Sequence, residues 1–205
     1  MRTISGVITD GGKFKWDTEK YPGMKDFKKF GPFAYTAKLR NGLFRNTGAC
    51  LSPQNAFYNS IGMETLGLRM ERVCDNAKTL AQFFATEYSD IEVNYPGLAG
   101  SKWHNIATEQ FGDKFGGIIT IRTGNKKRAF GIIDALKLPL IVSNIGDTKT
   151  LVIHPESTLN VHSTQEEKET AGVFDDLIRI SVGIEDIDDL IDDFKQAIES
   201  VKDVY

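Results

Sequence analysis

Residues 177–194 read "LIRISVGIEDIDDLIDDF". Leu177, Ile178, Ile180 and Val182 are apolar, with β-branched residues dominant, which is the composition of a strand. Gly183 ends it. An acid-rich helical pattern follows, predicted over 186–202. Asp186 stands at the N-cap, early acids complement the helix dipole, and Ile187, Leu190, Ile191, Phe194, Ile198 and Val201 form the buried stripe. The acids Glu185, Asp186, Asp188, Asp189, Asp192 and Asp193 lack the spacing and central glycine of a calcium loop. Arg179 sits inside the apolar run. Alternation sends Ile178 and Ile180 to one face and Arg179 and Ser181 to the other. Two readings stay open. One is a solvent-facing strand arginine, a common feature, and spacing alone favours it. The other is a guanidinium held to grip a carboxylate or phosphate through parallel hydrogen bonds.

Upstream of this stretch the pattern is mixed. Short strands are predicted at 91–95 and 116–123, extended segments in "LPLIVSNIG" and "TLVIHPES", and helices at 102–111, 125–136 and 165–171. Strands and helices do not alternate strictly. The expected class is therefore α+β, an antiparallel sheet with helices on one face. Within it, Ser143, Asn144, Gly146 and Asp147 make a polar turn, either an ordinary connection or a place where an anion could rest.

Residues 52–88 carry the strongest helical signal. Ser52 can cap, Pro53 suits the first turn, and Phe57, Ile61, Leu68, Val73, Ala77, Leu80 and Phe84 recur at helical spacing. One helix of that length would run about 50 Å and connect two bodies. Further upstream, residues 4–9 are predicted as a strand and 13–31 as a surface loop with one short helical turn. A helix is predicted to start at Pro32.

Composition narrows the function classes. The chain has 205 residues, 40% hydrophobic and 26% charged, so wholesale disorder is not expected. Its net charge of −3 supplies no field towards nucleic acid or an anionic membrane. Lysines interleave with Phe14, Trp16, Tyr21, Phe27 and Phe30, but Asp17, Glu19 and Asp26 dilute that charge, so nucleic-acid binding is not expected. No apolar run is long enough to span a bilayer, and no leader is visible. Cys50 and Cys74 form no disulfide framework, which makes a reducing cytoplasm the default. His104, His154 and His162 are scattered, and no metal site is expected. "FGDKFGG" is neither a phosphate loop nor a dinucleotide fingerprint.

Five stretches, in order, carry a resemblance: "GACLSPQNAFYNSIGMETLGLRMER", "VNYPGLAGSKWHNIA", "FGGIITI", "SNIGDTKTLVIHPEST" and "LIRISVGIEDIDDLIDDF". Together they resemble the second half of the O-acetylhomoserine sulfhydrylases, pyridoxal-phosphate enzymes of cysteine and methionine metabolism. The resemblance runs from about Ile4 to the end of the chain. It implies a fold of the aspartate aminotransferase type: 1–51 from the cofactor-binding large domain, 52–88 as the connecting helix, and 89–205 as the C-terminal substrate-binding domain. It also implies that Arg179 binds the α-carboxylate of the amino-acid substrate, with Ser143 and Asn144 on a turn facing that group. The reaction implied exchanges the acetate of O-acetylhomoserine for sulfide and gives homocysteine, with pyridoxal phosphate as electron sink.

The chain departs from the family pattern in two ways. The family's Schiff-base lysine falls just upstream of residue 1. No catalytic residue is therefore expected here, nor covalent cofactor binding or activity by the chain alone. Asn160 stands where the family often has histidine. The partners implied are further copies of the chain or a complementary N-terminal half. The alternative is a non-catalytic remnant or interaction module, motivated by the apolar stripe on 52–88 and the aromatics of 13–33.

Overall fold

The structure, a computed structural model, describes residues 3–202. Its contacts divide the chain into two compact units, one ending at Glu64 and one beginning at Thr65.

In the first unit the strand expected over 4–9 does not form. Ile4 and Val7 are 78% and 89% exposed, and the segment has no partner strand among the described residues. A strand's N–H and C=O groups need a neighbour, and apolar composition alone does not supply one. The stretch expected as a loop is more ordered than its composition suggested. Pro22–Phe33 is 3-10 in character, interrupted at Gly31 where φ is 55°. Trp16 stacks on Tyr35, and Phe14 and Tyr21 meet Trp16 edge-on, so these aromatics pack among themselves. Helix α1 (Ala34–Leu39) continues through a π-turn over Arg40–Phe44 into α2 (Arg45–Thr47). Helix α3 (Pro53–Glu64) follows, capped as predicted by Ser52, whose Oγ accepts from the Asn55 N–H at 3.2 Å.

The single helix expected over 52–88 is two helices. Thr65 leaves helical geometry (φ −108°, ψ 7°) between α3 and α4 (Leu66–Glu87). Gly62 and Gly67 flank the break, and each weakens helix propensity by about 1 kcal/mol against alanine.

The second unit is the expected α+β arrangement. After α4 come β1 (Glu92–Asn94), α5 (His104–Phe111), β2 (Ile118–Arg122), α6 (Lys126–Ala135), β3 (Leu140–Ile141), β4 (Leu151–Ile153), α7 (Gln165–Thr170), β5 (Leu177–Ser181) and α8 (Ile187–Ser200). The sheet order is β1-β2-β5-β4-β3. All pairs are antiparallel except β3–β4, which is parallel. Parallel neighbours cannot be joined by a tight hairpin, so the chain must loop back over the sheet end. The returning connection, residues 142–150, is the one that carries Ser143 and Asn144.

Helices α4, α6 and α8 bury one face of the sheet. Leu80 and Phe84, Ile119 and Ile121, Ile132, Ile178 and Ile180, and Leu190, Phe194 and Ile198 are all fully buried. Phe84 meets Phe194 edge to face at 5.2 Å. Each such side chain contributes about 1.5–3 kcal/mol by leaving water. The acid stripe of α8 divides as its register dictates. Asp186 caps, accepting from the Asp188 N–H at 3.0 Å. Asp193 faces inward and accepts from the backbone N–H groups of Lys137 and Leu138, each at 2.9 Å, which fixes the entry to β3.

Candidate functional site

Strand β5 lies in the middle of the sheet, and its alternation places Arg179. Ile178 and Ile180 fill the core, so Arg179 rises from the opposite face. There it is flanked by Thr120 of β2 and Ile153 of β4. Asn94 of β1 stands across from Thr120, and its side-chain amide donates to Thr120 Oγ1 at 3.3 Å. A row Asn94–Thr120–Arg179–Ile153 thus crosses four strands.

The guanidinium is half-buried. Its Nη2 donates to the backbone carbonyl of Ser143 at 2.7 Å. Its Nε is buried without a hydrogen-bond partner. No ion pair among the described residues includes Arg179. Burial pushes its pKa down, and no neighbouring acid pulls it back. An arginine remains protonated even so. What results is an oriented, partly desolvated cation without a counter-ion, an arrangement that costs free energy until an anion arrives.

The connection 142–150 is held close by. The Gly146 N–H donates to Ser181 Oγ at 3.1 Å, from a backbone with φ of 77° that glycine adopts without strain. Asp147 accepts from the Lys149 N–H and the Thr148 hydroxyl, both at 3.3 Å, and these bonds hold its carboxyl below the usual range. Ser143 and Asn144 are exposed. The structure brings Ser143 to Arg179 through its carbonyl, not its hydroxyl. Asn144 is the next residue but makes no hydrogen bond among the described residues. Thr120 and Asn94 escaped sequence reasoning, because strand register decides their place and no local pattern shows it. Ser181 is the exception: alternation put it on the Arg179 face, and there it anchors the turn.

Other candidates resolve into structure. His154 is buried, its Nδ1 paired with Ser157 Oγ at 2.9 Å and its Nε2 with the Asp175 carbonyl at 2.8 Å. An apolar pocket of about 640 Å³ is lined by Met70, Cys74, Phe111 and Phe115, with Glu71 and Lys114 at hand. None of Arg179, Ser143 and Asn144 lines it. Among the described residues no cluster of histidine, cysteine or acid side chains could hold a metal, and no helix is long and apolar enough to cross a membrane.

A sheet backed by helices on one face offers on the other an arginine with no acid partner among the described residues, a chemistry that suits a small anion. The sequence matches the Cys/Met metabolism PLP-dependent enzyme family over residues 1–199, and the chain belongs to that family. It is 37% identical over 96% of its length to sulfhydrylase FUB7 of Fusarium oxysporum, and covers 48% of that protein. To the O-acetyl-L-homoserine sulfhydrylase of Corynebacterium glutamicum it is 38% identical, with 97% of this chain and 49% of that one matched. Among solved structures, a putative O-acetylhomoserine (thiol)-lyase from Campylobacter jejuni superposes with a TM-score of 0.75 at 39% identity, over 80% of this chain and 39% of that one. That protein carries a pyridoxyl-lysine phosphate at its position 205. The resemblance read from the five motifs therefore holds, and the fold class with it. The chain spans about half the length of the curated relatives it matches.

Pyridoxal phosphate is the family's cofactor, and the residues around Arg179 do not fit it by themselves. The row that crosses the sheet holds no lysine to bind an aldehyde and no acid to meet a pyridine nitrogen. It holds one cation, an amide and a hydroxyl, a set suited to a carboxylate.

Proposed function

We propose that this chain is the C-terminal, substrate-binding portion of a pyridoxal-phosphate-dependent O-acetylhomoserine sulfhydrylase. Arg179 binds the α-carboxylate of O-acetylhomoserine, and Ser143 and Asn144 present polar groups beside it. The observation that carries the reading is the guanidinium itself: held at 2.7 Å by the Ser143 carbonyl, partly desolvated, and without an acid partner among the described residues. The reaction is exchange of acetate for sulfide to give homocysteine. The chain's part is to bind and orient. Fixing the carboxylate fixes Cα, and with it the direction in which the side chain's leaving group points.

The cofactor and its lysine belong to residues outside this chain, in a complementary N-terminal half. On this reading 1–51 comes from the large domain, 52–88 connects, 89–205 closes over the substrate, and the assembled enzyme is a cytoplasmic oligomer. The test is complementation. A separately produced N-terminal half carrying the lysine is mixed with this chain, pyridoxal phosphate, O-acetylhomoserine and sulfide. Turnover by the mixture and by neither part alone is expected. Turnover by this chain alone would sink the proposal.

A second reading, a non-catalytic interaction module, draws on exposed apolar side chains. On α3, Phe57 and Met63 are each 62% exposed, and on α4, Leu68 is 72% exposed. Such surface favours association. Sedimentation velocity across a hundredfold concentration range checks it, and a monomer throughout counts against it.

A further inference from the structure

Glu185 stands among the acids before the last helix, but it does different work from its neighbours. Its carboxylate turns back over the sheet end and accepts from the Thr150 N–H at 2.5 Å and the Thr150 hydroxyl at 2.9 Å. Thr150 Oγ1 in turn accepts from the Gly183 N–H at 2.9 Å. The two segments lie so close that a Cβ on Gly183 would meet the Thr148 carbonyl oxygen at 2.5 Å. The Ile184 N–H donates to that same carbonyl at 3.0 Å. Behind them, the buried Asn76 of α4 donates to the carbonyls of Gly183 and Glu185 at 3.1 and 2.9 Å. The backbone of 183–185 is therefore anchored to a core helix, and from that anchor Glu185 clasps the far end of the connection 142–150. The near end of that connection is the Ser143 carbonyl that orients Arg179.

We infer that Glu185 is a positioning residue for the carboxylate site: by clasping Thr150 it holds the 142–150 connection so that the Ser143 carbonyl fixes the Arg179 guanidinium. The inference deepens the reading of Arg179 as a carboxylate clamp and rests on it for its functional meaning. Its structural content can be tested without any ligand. Arg179 is the final link of the chain Asn76–Glu185–Thr150–Ser143–Arg179, and Arg122 on the neighbouring strand is outside it. Charge-assisted bonds to a carboxylate are the stronger members of such networks, so losing this one should be felt at the far end.

The experiment is side-chain relaxation of arginine Nε–Hε groups in the ligand-free chain, for wild type, Glu185→Gln and Thr150→Val. Glutamine keeps the shape but turns an amide towards one of the two donors. Valine keeps the shape of Thr150 but removes its hydroxyl, and serves if Glu185→Gln does not fold. The expected result is an Arg179 order parameter falling from a rigid value near 0.85 to below about 0.6 in the variants, with Arg122 unchanged. An Arg179 value equal to wild type in a folded variant would overturn the inference. A second arm titrates O-acetyl-L-homoserine into the wild type and follows the Arg179 Nε–Hε resonance. No shift there defeats the clamp reading alone, whatever the relaxation shows. A shift in the wild type that weakens about tenfold in the variants supports both.

Discussion

Arg122 and Arg179 rise from the same face of the same sheet, on the adjacent strands β2 and β5. Their surroundings are opposite. Arg122 Nε donates to Asp176 at 2.9 Å, its Nη1 lies 3.5 Å from Glu92, and its guanidinium covers the Phe174 ring at 4.0 Å. The hydrogen bond to Asp176 raises its pKa. Among the described residues Arg179 has one hydrogen-bond partner, the Ser143 carbonyl, and burial lowers its pKa. One arginine is a finished structural pair and the other is half of a pair. A ligand is to be sought not at charge on a strand, but at charge whose counter-ion the fold withholds.

Supplying that counter-ion would make the two arginines alike. Thr120 faces Arg179 across the β2–β5 ladder, so Thr120→Glu would give Arg179 the kind of partner that Asp176 gives Arg122. The expected outcome is a loss of O-acetylhomoserine affinity of about 100-fold, since a charge-assisted bond within the chain must first be broken. Calorimetric titration checks it, with urea denaturation to confirm that the variant folds at least as stably as wild type.

Asp176→Ala strips Arg122 of its acid, and also strips the Gly124 N–H of an acceptor at 3.1 Å. The Asp176 side chain is only 5% exposed, but Arg122 at 36% can turn to water, so the expected loss is roughly 2 kcal/mol of stability. Carboxylate affinity at Arg179 should stay within about twofold, because the two arginines share no hydrogen-bond partner among the described residues and such sites are nearly additive. Equilibrium denaturation and the same titration read the two effects separately.

The smallest effect concerns another finished pair. Glu156 is tied to Lys126 at 2.8 Å and to Lys168 at 2.5 Å, and these bonds hold its carboxyl at about 2 against an ordinary 4.5. The folded chain then binds the proton less readily than the unfolded chain. This contribution is complete above about pH 4.5 and is lost as pH falls towards 2. Lys126→Met and Lys168→Met should together flatten that part of the acid-denaturation curve and lower stability at pH 7 by the same contribution, kept modest by solvent screening because Lys126 is 46% exposed.

Much of the second unit was legible because its signals are local. Alternation in β5, the Asp186 cap and the stripe of α8 each lie within a few residues of one another. The strand expected over 4–9 and the unbroken helix over 52–88 failed for the opposite reason. A strand needs a partner that no local pattern guarantees. A break at Thr65 between two glycines is a matter of geometry that apolar spacing does not register. The site shows the same division. Arg179 and Ser143 were visible as residue types in recognisable motifs. The contrast with Arg122 was not, because Asp176 lies 54 residues from Arg122 in sequence and only the β2–β5 register brings them together. Glu185 looked like one more helix-capping acid until the fold set it against Thr150.

Arg179 is expected to take up a carboxylate, and calorimetric titration of O-acetyl-L-homoserine into the 205-residue chain reads that binding without any other component. Saturable binding is expected, weakened about 10- to 100-fold in Arg179→Lys, because an ammonium cannot make the bidentate contact, and persisting in Arg122→Lys. Equal affinity in wild type and Arg179→Lys, or no binding by the wild type, would contradict it.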